Sequence, residues 1–545
     1  MTDAADLVLL DGDVHTLAEP DETREAVAIR DGRIVRVDST YEIEHLAGVE
    51  TEVIDCEGRV VLPGFVDAHT HMESQGLYLV HADLSGAADI DDAIDALSAQ
   101  ADTDREWVLG FGYDESAWPE TRYPTREDLD AVSEERPVVA MRVDMHTASL
   151  NSVALDRLVD EMPDHDVETE DGEPTGVVVE DATEAVWNAV EADYDQAREL
   201  VTAAIDHANS LGVTCVHDKV RQSHAPRVYR DLELEGELDC RVRIDYWSDH
   251  LESVIDAGLA TNAGSEFVRT GAIKSFTDGS LGARTAKLFE PYDDLPADAE
   301  SDDVSTEGAD EGDAVADGGA AETPDADAAG DGRGQWVVDP DELAEVAETA
   351  AAHDYQLTVH AIGDEAVHET IGVLAETENA DSARHRIEHA ELATDEHLER
   401  MAEAGIVASV QPNFHQWARP GGLYDQRLGE ERRKRTNRLR TILDAGVPLA
   451  FGSDCMPLDP LLGVHHAVTA PEQSQRLSVT EALRAYTLGA AYAGFDEDRM
   501  GTVEVGKCAD VVILEESPWE NEDRIHEIDV ATTIVDGEVV YDVGE

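Results

Sequence analysis

At 545 residues with 42% apolar side chains, the chain is long enough for one large barrel plus an appended domain, or for three small domains. Its 122 acidic against 39 basic residues give a formal charge of −83, which excludes nucleic acid and anionic membranes as partners and implies screening by concentrated salt, hence a halophilic source. No stretch approaches the ~20 apolar residues of a membrane span, the cysteines form no C-x-x-C pair, and "MTDAADLVLLDGDV" is acidic where a signal peptide needs a basic start, so a soluble cytoplasmic protein is expected.

In chain order, both ends carry short apolar strands joined by Asp-Gly turns, a strong hairpin signal. "DLVLLDGDVHTL" and "AVAIRDGRIVRVDS" lead to "VIDCEGRVVLPG" at the front; "ADVVILEESP" leads to "ATTIVDGEVVYD" at the back. Residues 1–60 and 500–545 are therefore expected to form one β-sandwich domain split by everything between them. Residues 61–499 alternate β-rich runs with helical stretches such as "QARELVTAAIDHANSLG", the α/β pattern of a (β/α)8 barrel. The candidate strands are "GFVDAHT", "PVVAMRVD", "GVTCVHD", "RVRIDYW", "GAIKSFTDG", "QLTVHAIGD", "HRIEHAEL", "IVASVQP" and "VPLAFGSD", one more than a barrel needs. "PVVAMRVD" is assigned to an inserted substrate-pocket subdomain, residues 73–210, because the gap around it is too long for one βα unit. Residues 298–332 hold thirteen Asp or Glu, no Lys or Arg and no aromatic, and are expected to be a disordered acidic insertion.

"VLPGFVDAHTHM", residues 61–72, places His69 and His71 two apart. On a strand these share a face, ~6.6 Å apart at ~3.3 Å per residue, so both imidazoles can converge on one ion; on a helix they cannot. A chain with 21 histidines contains such a pair by chance often enough that the rest must decide. Further candidate strands carry Lys274 or end at His360, His389 and Asp454, giving six ligand-type residues at matching ends of five strands. Lys274 is the oddest, since an ammonium in apolar "GAIKSF" is costly unless paired or modified. Only five of the 39 basic residues are lysine. An amine shifts its pKa readily and reacts where a guanidinium does not, so a lysine kept here points to chemistry: carboxylation by carbon dioxide would make it an anionic bridge between two metals. The ordinary alternative is a buried lysine paired with Asp278.

"PGFVDAHTHM", "GAIKSFTDGSLGARTA", "VHAIGD", "RIEHAEL" and "FGSD" together resemble the amidohydrolase superfamily, family 3, and within it the branch of N-substituted formamide deformylase, here in an acidic, haloarchaeal-type form. The resemblance covers nearly the whole chain, including the split β-domain and "GYDESAWPETRYPTREDLD" in the insert; the acidic insertion touches no motif. It implies a binuclear centre, usually zinc, with two divalent ions per chain. His69, His71 and Asp454 would hold one ion, His360 and His389 the other, with carboxylated Lys274 bridging. Imidazoles suit zinc, a metal-activated hydroxide would form at neutral pH, and Asp454 would pass the water's proton to the leaving nitrogen. The implied partner is a small amide, formamide or cyclic amide; homodimers occur among resembling proteins. Tyr113, Asp114 and Trp118 resemble a stretch that approaches the pocket, while His146 and Arg284 are expected to orient a carbonyl or carboxylate. His217 and His415 are lesser candidates, and His465 and His466 fit a helix face.

Two other readings compete. "HRIEH" matches the H-x-x-E-H pattern of zinc peptidases, which needs a helix placing His385 and His389 on one face with Glu388 as base. It leaves the other five ligand candidates unexplained. A non-catalytic binding relative would keep the fold, but drift would be expected to lose some member of the ligand set first.

Overall fold

Eight strands run parallel in a single sheet, each hydrogen-bonded to the next along the chain: β1 (Phe65–Thr70), β2 (Val213–Val220), β3 (Arg241–Trp247), β4 (Val268–Phe276), β5 (Leu357–Ala361), β6 (Arg386–His389), β7 (Val407–Val410) and β8 (Leu449–Phe451). A computed structural model describes residues 4–103, 105–295 and 332–544, so the acidic stretch other than Gly332 lies outside the described residues. The rim is stitched where the last strand meets the first. Asp454 N–H donates to the His69 carbonyl at 2.8 Å and Ser453 N–H to Asp67 Oδ1 at 3.0 Å. Gly452 permits this approach, since a Cβ there would stand 2.6 Å from His69 N.

Period-two alternation sorts the strand residues. Val216, Ile244, Ile273, Val359, Ile387 and Ala408 pack outward into the main apolar core. The residues between them are polar and buried: His69, His217, Lys219, Asp245, Lys274, His360, Arg386 and Glu388. They cross-link the barrel interior. Lys219 Nζ donates to Asp245 Oδ2 at 2.8 Å and to the Ala68 carbonyl at 2.9 Å; Arg386 donates to His217 Nδ1 at 2.9 Å and Ser409 Oγ at 3.1 Å. Val138–Arg142 lies outside this sheet, in a separate one.

That separate sheet has six strands, from Ala82–Asp83 to Glu173–Val179. The helix Tyr194–Ser210 falls inside the 73–210 span but does not belong to it: Ala197, Val201, Ala204, Ile205 and Ala208 join Phe65 and Val213 in the barrel core. It is the covering helix of the first βα unit, so the insert ends before it.

Strands from both ends interleave in two further sheets. Val511–Leu514 pairs antiparallel with Val60–Pro63, and Leu7, Leu9, Val27, Val61, Val511 and Ile534 share one core, making a β-sandwich. Asp31-Gly32 (φ 52° and 68°) and Asp536-Gly537 (φ 54° and 84°) close antiparallel hairpins as their sequence predicts. Asp11-Gly12 does something else. Ala5–Leu10 lies in the four-stranded sheet and Asp13–His15 in the six-stranded one, so this turn carries the chain across the sandwich. Arg241 of β3 anchors the sandwich to the barrel, gripping Asp510 at 2.7 and 3.0 Å and Asp536 at 2.8 Å. Among the described residues, no helix is long and apolar enough to cross a membrane.

Candidate metal centre

At the C-terminal rim, β1 supplies His69 and, one residue past its end, His71, while the turn after β8 supplies Asp454. One ligand atom from each lies within 4.8 Å of the other two, all three residues buried. Asp454 Oδ1 stands 3.4 Å from Nε2 of both His69 and His71, and its other oxygen 4.0 Å from His389 Nε2. No well-formed hydrogen bond reaches Asp454 Oδ1 among the described residues. A buried carboxylate oxygen facing two imidazole nitrogens at that spacing fits a shared divalent cation.

His360 and His389 close the other side, with ring centroids 4.4 Å apart. His360 stacks on Phe276 at 3.7 Å, and Lys274 Nζ lies 5.2 Å from that same ring. Lys274 is fully buried. Asp278, the ordinary partner considered for it, accepts backbone N–H groups from Ile362 (3.0 Å), Gly363 (2.8 Å) and Lys287 (2.8 Å) and lies 3.6 Å from His360 Nε2. Burial pushes its carboxyl up to about 6 despite those donors. His389 (φ 69°), Ala390 (φ 48°), Asp454 (φ 58°) and Cys455 (φ 57°) all hold left-handed backbone, the kind of strain that gathers at functional sites.

The structure thus gathers His69, His71, His360, His389, Lys274 and Asp454 in one region, and the remaining candidates have the following partners. Tyr113 and Trp118 are core aromatics of the insert: their rings pack at 5.6 Å, the Tyr113 hydroxyl meets Ser149 Oγ at 3.1 Å, and the Trp118 indole donates to the Ala87 carbonyl at 2.8 Å. Arg284 is spent on Asp294, which it meets through Nε (3.2 Å) and its terminal nitrogen (2.8 Å). Asp114 folds back on its own turn, accepting from Ser116 N–H at 3.0 Å. His146 is half-buried, with Nδ1 3.9 Å from Glu180. His217 accepts from Arg386, and burial together with that guanidinium holds it neutral.

The peptidase reading fails on secondary structure. Arg386–His389 is a strand, so His385 and His389 share no helical face. His385 turns outward, its Nδ1 accepting Leu357 N–H at 3.0 Å and its Nε2 meeting Thr377 Oγ1 at 2.9 Å. Glu388 points instead at His69, 2.7 Å from Nδ1. Reasoning from spacing missed this role, because 319 residues separate the two.

Burial pushes the His385 imidazole down to about 4. Unfolded, it takes a proton near 6.5. The unfolded chain then binds more protons between pH 6.5 and 4, so acidification through that window lowers stability by about 1.4 kcal/mol per pH unit for this ring. In multimolar KCl, urea unfolding of His385→Gln is expected to lose about 2 kcal/mol less than the parent protein between pH 7 and pH 5. Identical pH slopes would contradict the assignment.

The amidohydrolase family profile matches residues 52–541. The YtcJ protein of Bacillus subtilis is 29% identical over 97% of this chain and 98% of its own length. The N-substituted formamide deformylase of Arthrobacter pascens is 26% identical over 99% of each chain. A crystal structure of an uncharacterized metal-dependent hydrolase from Pyrococcus furiosus superposes with a TM-score of 0.76 at 30% identity, covering 94% of this chain and 99% of that one. A family profile that runs from residue 52 through the barrel and all six rim residues to residue 541 leaves one conclusion: the chain belongs to the amidohydrolase family and is a metal-dependent hydrolase of carbon–nitrogen bonds.

Proposed function

We propose that the site holds two zinc ions and hydrolyses the carbon–nitrogen bond of a small non-peptide amide, with N-substituted formamides as the first class to test and open-chain or cyclic amides next. The observation that carries this reading is the buried convergence of His69, His71 and Asp454 at the barrel rim. Imidazole and carboxylate donors favour zinc over calcium or magnesium. His69, His71 and Asp454 would hold one ion, and His360 and His389 the other. Lys274 would bridge them as a carbamate, its neutral amine nitrogen bonding to the carbon of carbon dioxide as one C=O π bond opens and one N–H proton is lost to water. The relative from Arthrobacter pascens supports formamides by its name. Exposure of no more than 5% at all six groups suits a small molecule better than a polypeptide.

Bound there, the cations supply Lewis acidity, bringing a water's pKa near 7 and polarising a carbonyl. The chain's own part is proton traffic and orientation. Asp454 Oδ1 faces His69 and His71, while Oδ2 is turned toward His389. From that position the carboxylate takes the proton of the attacking water and delivers it to the departing nitrogen. His360, held between Phe276 and Asp278, keeps its ring fixed at the second position.

The test is a screen of N-formyl and N-acyl amines and cyclic amides in multimolar KCl with zinc and bicarbonate supplied, reading amine release or ring opening. Hydrolysis that disappears on chelation and returns with zinc is the expected result. A zinc-loaded protein that cleaves peptides and none of these classes would refute the proposal. The charge of −83 supports the further reading that the protein works in concentrated salt.

A further inference from the structure

His69 is held at both ends. Its backbone N–H donates to Asp67 Oδ1 at 3.0 Å, and its ring Nδ1 lies 2.7 Å from Glu388 Oε2, with both side chains fully buried. Glu388 is itself gripped. Arg386 reaches its other oxygen at 2.6 Å, the Thr358 hydroxyl donates to that same oxygen, and Arg386 also extends to within 3.6 Å of Asp245, the partner of Lys219. With one oxygen taken up by the guanidinium and the hydroxyl, Glu388 Oε2 is left to accept the Nδ1–H of His69 at 2.7 Å. Gln411 Nε2 stands farther from the same Nδ1, at 3.4 Å.

We infer that Glu388 is a positioning residue for His69: by accepting Nδ1–H it fixes the ring's tautomer and rotation and commits the Nε2 lone pair to the cation site shared with His71 and Asp454. The buried chain Lys219, Asp245, Arg386, Glu388 spans the barrel interior from β2 and β3 to β6 and ends on the first strand's ligand. It gives this polar filling a purpose that packing does not supply, since a buried ion network is weak evidence of stabilisation. Carboxylates behind metal-bound histidines typically contribute ten- to a hundredfold in metal affinity. The inference rests on the metal-site reading of Proposed function.

The experiment measures zinc affinity by competition with a chromophoric chelator, and the His69 tautomer by ¹⁵N chemical shifts of histidine-labelled, zinc-free protein, with the His69 signal identified by its loss in His69→Gln. In the parent protein, zinc binds and the His69 shifts report protonated Nδ1 and bare Nε2. Glu388→Gln, which keeps an acceptor oxygen but loses the charge, is expected to weaken zinc binding about tenfold. Glu388→Leu with Arg386→Met removes both charges together, guarding against a misfolded single variant. It is expected to weaken binding about a hundredfold and to give mixed-tautomer shifts. Parent-like zinc affinity and His69 shifts in both variants would overturn the inference while leaving the metal site standing. A parent protein that binds no zinc would remove the metal-site reading and this inference with it.

Discussion

Asp454→Asn is expected to lower kcat about 10³-fold, within the range general acid–base groups supply, with little change in fold or thermal midpoint. The substitution is nearly isosteric, and the backbone favours it: Asp454 sits at φ 58°, a left-handed conformation that asparagine tolerates as well as aspartate. The N–H of residue 454 still closes the barrel on the His69 carbonyl. What is lost is the ability to take and return a proton, since an amide oxygen is a far weaker base. One ligand charge is lost as well, so zinc content must be measured beside the rate, and kcat corrected to loaded protein. A corrected kcat within tenfold of the parent would show that the proton travels by another group.

Lys274→Ala is expected to lose zinc and activity together. The other lysines are engaged elsewhere: Lys219 is buried on Asp245, Lys287 Nζ lies over the Trp336 ring, Lys434 pairs with Glu430, and Lys507 donates to the Glu497 and Met500 carbonyls. Lys274→Arg separates charge from chemistry, because it keeps a cation of similar length in the same apolar strand but cannot form a stable carbamate at neutral pH. If the bridge is real, the arginine variant is as inactive as the alanine one, by about 10⁴-fold if the second ion is lost with it. An active Lys274→Arg protein would mean that the lysine serves as an ordinary buried cation.

That the six ligand-type residues would meet at the barrel rim was legible in the sequence because strand geometry is local. Two residues apart on a strand means one face, which recovered His69 and His71, and an ammonium inside an apolar run marks itself, which recovered Lys274. The barrel was legible for the same reason, through alternation repeated eight times. Side chains whose partners lie far along the chain were not. Tyr113 and Trp118 were placed near the pocket by resemblance alone, since aromatics at such spacing are more often core, and only the fold puts them against Ser149 and Ala87. Arg284 carries no sign in its motif that Asp294 will neutralise it. The apolar stripe of Tyr194–Ser210 specifies that it packs, without saying on which sheet. "HRIEH" reads as a strand, which sets the peptidase pattern aside but leaves Glu388 without a role in the sequence; its geometric partner is His69, 319 residues away.

The central claim is that cations sit among His69, His71, His360, His389, Lys274 and Asp454. The most direct measurement is anomalous scattering at the zinc edge from crystals grown in concentrated salt with zinc and bicarbonate. The account predicts two peaks, one bounded by His69, His71 and Asp454 and one by His360 and His389, with density for a carbamate on Lys274 between them. A well-ordered rim without an anomalous peak, from protein that hydrolyses its substrate, would contradict it.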